Sequence, residues 1–143
     1  MKRKILKAVT FLLALIISAT VLVACGKTGS AKAEIVEKTD TMVVIRVTEV
    51  TGVAHLIDAM NYLKSENELT FDMASDGLVV SIEGKDINTV TWSPFWYLYT
   101  SNAEMANTEW GTVTYDGNTY GSAILGATDL EVVAQELYIW EYK

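Results

Sequence analysis

Between residues 41 and 50 apolar and polar side chains alternate, with Val43, Ile45 and Val47 on one side and Val44, Arg46 and Thr48 on the other. This period of two predicts a half-buried strand, broken by Thr51-Gly52. From Val53 to Glu66 the period changes. At 100° per residue, Val53, Leu56, Ile57, Ala59, Met60 and Leu63 share one side, while His55, Asp58, Asn61 and Tyr62 fall on the other. That pattern predicts one amphipathic helix, with the Thr51 hydroxyl available as N-cap. Leu69 to Met73 predicts a short extended piece. Gly77 opens a second alternating strand with Leu78, Val80 and Ile82 inward, closed by a turn over residues 83–86.

The last third is rich in aromatic and turn residues. Trp92 to Tyr99 is extended by composition. If regular, it directs Trp92, Pro94, Trp96 and Leu98 one way and Phe95, Tyr97 and Tyr99 the other. Residues 112–115, then Asp116-Gly117, then residues 118–120, predict a hairpin on a two-residue type I′ turn. Residues 136–142 alternate as a final strand. One helix after a strand, with the rest in strands, predicts an α+β fold: a mostly antiparallel sheet with one main helix packed on one face.

The N-terminal segment follows a different rule. Lys2, Arg3, Lys4 and Lys7 precede an apolar run from Ala8 to Ala24 that ends in Leu22-Val23-Ala24-Cys25. This is the pattern of a bacterial export signal closed by a lipobox. Residues 1–24 are expected to be a signal peptide, and Cys25 to carry the lipid after cleavage. Residues 25–40 are small, polar and charged, and read as a flexible tether with a reach of roughly 20 Å. Residues 41–143 then form the domain, held at the extracytoplasmic face of the cell membrane. No cysteine follows Cys25, so its core must hold without disulfides.

Charge narrows the partners. From Cys25 onward seven basic residues face eighteen acidic ones, a net charge near −11. Nucleic acid is excluded as a partner, and acyl chains, not a basic surface, must carry the membrane affinity.

Candidate chemistry is sparse. His55 is the sole histidine and lies one helical turn from Asp58 on the polar side, where it reads as solvated. No Cys/His cluster has zinc spacing, and nothing frames a Ser-His-Asp arrangement. Asp72, Asp76, Glu83 and Asp86 lack the glycine placement of a calcium loop and read as solvated surface. Gly26-Lys27-Thr28 has no upstream glycine at phosphate-loop spacing. No catalytic or metal-ligating residue is therefore assigned, and no required cofactor. The aromatic strand is the candidate site. One face can serve the core, while the other, with Trp110 and Tyr115 or Tyr120 nearby, suits a flat, partly apolar ligand. The alternative is that both faces serve packing.

The order of elements, with His55-Leu-Ile-Asp-Ala-Met60, Gly77-Leu-Val-Val-Ser-Ile-Glu-Gly84, Phe95-Trp-Tyr-Leu-Tyr99, Gly121-Ser-Ala-Ile-Leu-Gly-Ala127 and Tyr138-Ile-Trp-Glu-Tyr142, resembles the C-terminal β-domain of transcobalamin and intrinsic factor. It is most similar to the transcobalamin-like domains of bacterial lipoproteins. The resemblance implies a β-grasp-like fold and one of the two jaws that close on cobalamin. These residues hold no counterpart of the helical jaw, and half a clamp implies weaker binding. Tyr99 is followed by Thr100-Ser101-Asn102 where bacterial relatives often show Asn-Gly. The implied contacts are Trp96 and Tyr97, to which alternation and chemistry add Tyr99 and Trp110. Two functions follow as expectations. The first is a tethered module that captures a corrinoid or another flat molecule for an uptake transporter. The second is a non-enzymatic surface module that binds a protein or a wall polysaccharide.

Overall fold

A computed structural model describes residues 28–143. The expected signal peptide over residues 1–24 and the expected lipidation site Cys25 lie outside the described residues. The expected α+β class is found: one main helix packs against a largely antiparallel sheet, in a β-grasp-like arrangement.

The main sheet has six strands, all antiparallel to their neighbours. In chain order they are β1 (Ser30–Lys38), β2 (Met42–Thr51), β6 (Trp96–Thr100), β7 (Ala106–Tyr115), β8 (Asn118–Ala123) and β9 (Leu137–Tyr142). In space they run β1-β2-β9-β6-β8-β7. A second sheet joins β3 (Phe71–Met73), β4 (Val79–Ile82) and β5 (Lys85–Asp86).

The strand β1 departs from expectation. Ser30–Lys38, expected as tether, pairs along its length with β2, from Ser30↔Thr51 to Lys38↔Val43. Its inward residues are Ala31 and Ala33, both buried, with Ile35 packed against the same core. The folded domain therefore begins near residue 30, and not at residue 41.

The helix α1 (Leu56–Ser65) is shorter than periodicity predicts, because β2 runs on through Thr51. Its N-cap is His55, not Thr51. The carboxylate of Asp58 accepts the His55 backbone N–H at 2.8 Å, and the Asp58 N–H donates to the His55 carbonyl at 2.9 Å. His55 thus works as a helix terminus, its imidazole 4.0 Å from that carboxylate. Leu56, Ala59, Met60 and Leu63 are buried on the helix. They meet Val43, Ile45 and Val47 of β2 and Tyr138 and Trp140 of β9 in the main core.

The opposite sheet face is also packed. Val44, Tyr99, Val113 and Ile139 form a second, smaller cluster. The predicted hairpin closes β7 onto β8, and Asp116 and Gly117 both adopt the positive φ (48° and 76°) that a type I′ turn requires. With its two faces covered at this end, the disulfide-free sheet buries Tyr99 rather than presenting it.

Two phenols gain from this burial. Tyr138 is fully buried, and burial pushes its pKa above 10.0 against the opposing pull of the Val133 N–H, which donates to its oxygen at 3.0 Å. Tyr99 moves the same way for the same reason, although the Lys143 ammonium bonded to it at 2.8 Å pulls downward. A phenol that holds its proton more tightly when folded stabilises the fold fully below its unfolded pKa, and that stabilisation is lost as pH rises through the raised value. Melting temperature is therefore expected to hold to about pH 9.5 and to fall above about pH 10. The fall should be shallower in Tyr138→Phe; equal slopes would show that Tyr138 does not contribute.

Candidate functional site

The aromatic segment is a strand only from Trp96. Before it, residues 92–95 form a loop in which Trp92 has a positive φ of 56°, so the expected alternation holds only over residues 96–100. Trp96 then points into the main core, 2% exposed, with its indole N–H donating to the Lys85 carbonyl at 2.8 Å. Its ring lies 4.9 Å from that of Tyr142, whose hydroxyl donates to the Asp86 carbonyl at 2.8 Å. Trp96 and Tyr142 together fasten the small sheet to the large one.

At the Trp96 end of β6 the sheet splits, for a reason visible in its hydrogen bonds. Phe95 exchanges both main-chain bonds with Lys143, and the Ser101 N–H donates to the Leu137 carbonyl. Main-chain groups along an antiparallel strand face its two neighbours alternately. Residues 95, 97, 99 and 101 therefore face β9, while Trp96, Leu98 and Thr100 face β8. β8 answers only at Thr100↔Gly121 and Tyr99↔Ser122. After Ala123 the chain leaves: the Ile124 N–H donates to the Met105 carbonyl at 3.0 Å. The carbonyls of Ala127 and Leu130 then accept the N–H groups of Ile57 and Leu56, each at 2.9 Å. These two amides belong to the first turn of α1, where no intrahelical acceptor exists. Capping the helix draws residues 124–130 away from β6 and opens the sheet.

The opening is a cleft of about 400 Å³. One side is β6 and its lead-in, residues 95–98; the other is residues 122–127. Leu78 and Val79 of the small sheet and Trp140 of β9 also line it. The Trp140 indole N–H is buried without a hydrogen-bond partner. Trp110 hangs over the cleft from β7. The β7–β8 register jumps from Asn107↔Ser122 to Thr112↔Gly121, so residues 108–111 bulge out of the ladder. The Asn107 side chain accepts the Glu109 N–H at 2.8 Å, and Gly111 supplies the φ of 137° that returns the chain to the strand. Beneath the bulge, a Cβ on Gly121 would lie 3.1 Å from the Asn107 carbonyl carbon.

Of the four residues expected at a ligand, the structure brings Trp96, Tyr97 and Trp110 to this cleft and leaves Tyr99 out. Tyr97 (39% exposed) and Trp110 (65%) are accessible, whereas Tyr99 is 1% exposed within the second cluster. Trp96 lines the cleft from the core and offers little surface. Tyr115 and Tyr120 pack against that second cluster and do not join the cleft. Residues the sequence did not single out supply much of the lining: Leu78, Leu98, Ile124, Leu125 and Trp140. Glycine punctuation at Gly121 and Gly126 was the signal that could have found the loop.

The polar groups at the cleft are main-chain groups, the Ser122 hydroxyl and the unpartnered Trp140 indole N–H. Lys143 sits 5.3 Å from the centres of both the Tyr97 and Tyr99 rings and bonds Glu141 at 2.6 Å, and this pairing raises its pKa. Among the described residues, no three His, Cys, Asp or Glu side chains converge as a metal site, and no helix is long and apolar enough to cross a membrane. The arrangement can hold a partly apolar group between aromatic side chains; no nucleophile faces a base within it. No protein family, curated protein or solved structure matches the chain.

Proposed function

We propose that this protein is a lipid-anchored, extracytoplasmic ligand-capture module whose binding site is the cleft between β6 and residues 122–127. The observation that carries the reading is an apolar cleft walled by Trp96, Leu98 and Trp140, with Tyr97 and Trp110 left accessible at its mouth. Exposed aromatic rings beside a concave apolar surface are the usual makings of a small-molecule site. At about 400 Å³ the cleft is toward the small end of such sites, roughly 300–1,000 Å³. It takes one edge of a corrinoid, with the rest lying against Tyr97 and Trp110, or the whole of a smaller planar molecule. The resemblance to transcobalamin-like domains makes a corrinoid the first ligand to try and an uptake transporter the natural recipient. The lipid on Cys25 would keep the module at the membrane.

The test is titration of the full chain with cobinamide and with haem, following tryptophan emission corrected for absorption. Quenching is expected, and Trp110→Ala is expected to weaken binding about three- to tenfold, the value of one aromatic contact. Unchanged corrected emission at high micromolar ligand would remove the planar-ligand reading. Anchoring is tested separately: Cys25→Ser should accumulate as unprocessed precursor without thioether lipid, and normal processing of that variant would refute the anchor.

A further inference from the structure

The strongest unanswered feature of the cleft is its polar side. By the alternation set out above, the N–H and C=O of Trp96 face the gap, and β8 has already turned away. A planar ring between Tyr97 and Trp110 leaves both groups unpaired. We propose that the cleft receives an extended peptide segment of a partner, which adds to the sheet as a short strand beside Trp96 in the place β8 vacates. This rests on the reading that the cleft is the binding site, and it names the class of occupant.

Three observations favour a strand. First, the main-chain groups that Trp96 turns to the gap are one donor and one acceptor on the same residue, the pair that an antiparallel neighbour exchanges. Second, the volume fits. A residue in a packed sheet occupies about 3.3 Å along the strand, about 4.8 Å between strands and about 10 Å through the sheet, or ~160 Å³. A cleft of about 400 Å³ thus holds two to three residues, the length over which β6 is open. Third, the walls above and below this edge are apolar and aromatic, so alternate side chains of the added strand have places on either face.

The occupant's chemistry follows from charge and shape. Residues 28–143 carry six basic and eighteen acidic side chains. Glu109 sits beside Trp110 in the bulge, whereas Glu141, opposite Tyr97 in the ladder, is neutralised by Lys143. The segment is therefore neutral or cationic, with apolar residues at alternate positions. A second copy of this chain does not meet that requirement, because two domains that each carry six basic and eighteen acidic side chains repel one another.

Amide hydrogen exchange on the labelled full chain, combined with peptide selection, tests this. In the free protein the Trp96 amide is expected to exchange rapidly while those of Tyr97 and Tyr99, bonded to β9, are protected. Random heptapeptides displayed on phage are then selected on the full chain, and the enriched sequences are resynthesised with acetylated and amidated ends. The expected peptides carry no net negative charge, slow Trp96 exchange at least tenfold, and bind at least tenfold more weakly to Gly126→Phe. Gly126 lines the cleft, and a side chain added there meets nothing within 4 Å. Leu125→Arg, at an exposed position on the same wall, is the second blocking variant should Gly126→Phe fail to fold.

No enrichment above the blocked variants, or bound peptides that leave Trp96 exchange unchanged, overturns strand addition. If cobinamide or haem still binds and is excluded by the blocking variants, the cleft stands as the site and only the peptide inference falls. If neither ligand class responds to the blocking variants, both readings fall.

Discussion

Trp96→Ala is expected to lower folding stability by about 3–5 kcal/mol, the usual cost of removing a buried aromatic side chain. It will therefore perturb the fold before it reports on any ligand. The magnitude follows from position. Trp96 is 2% exposed, packs at a tilt against the Tyr142 ring and donates its N–H to the Lys85 carbonyl, so its loss leaves a cavity and unfastens the small sheet. Against a typical total of about 5–15 kcal/mol, that is a large fraction. Trp110→Ala should stay within about 0.5 kcal/mol of the parent, because its ring is largely solvated. Urea denaturation of the two variants checks the pair. A Trp96→Ala midpoint equal to the parent's would mean that this indole does not hold the two sheets together.

The second large effect lies in the segment that reads as linker. Ala33→Asp is expected to destabilise the domain by at least about 3 kcal/mol, because it buries an unpaired carboxylate between β1 and the main core. A flexible tether would accept the same change without consequence. Thermal unfolding discriminates the two cases: a melting temperature within 1 °C or so of the parent would return residues 30–38 to the tether. Glu34→Ala is the matched control, since Glu34 is an exposed residue whose partner is an Arg46 guanidinium at 3.1 Å, and such surface pairs contribute little.

Why β1 escaped a reading of the sequence is a matter of side-chain size. Its alternation is present, with Ala31 and Ala33 inward and Lys32 and Glu34 outward. The inward residues are alanines, however, and the chain around them is charged, so the period-two signal carries almost no hydropathy. Val43, Ile45 and Val47 announce β2 because their apolar side chains are large. The helix is legible for the same reason, through Leu56, Met60 and Leu63, and the hairpin through Asp116-Gly117, whose positive φ values only a few residue types accept readily. The helix start is less so, because nothing local says that β2 continues through Thr51.

The candidate site was half legible. Alternation correctly places Tyr97 and Tyr99 on one sheet face, yet it cannot say that Val113, brought over by the hairpin, covers one and not the other. Nor can it show that Trp110 leaves the ladder on a four-residue bulge, which depends on a register shift between two strands. The open edge of β6 is further from the sequence still. It exists because residues 124–130 have a prior obligation to the amides of Leu56 and Ile57.

That obligation ties folding and recognition together. The same short stretch closes off one end of the rod and forms one wall of the mouth, so an occupant pressing on that wall presses on the stretch that holds the Leu56 and Ile57 amides. Affinity should then change with substitutions that never approach the guest, such as Asp58→Ala, which slackens the anchoring turn. Evolution could retune what this surface holds by adjusting how firmly the rod's end is gripped, leaving the indoles and phenols untouched.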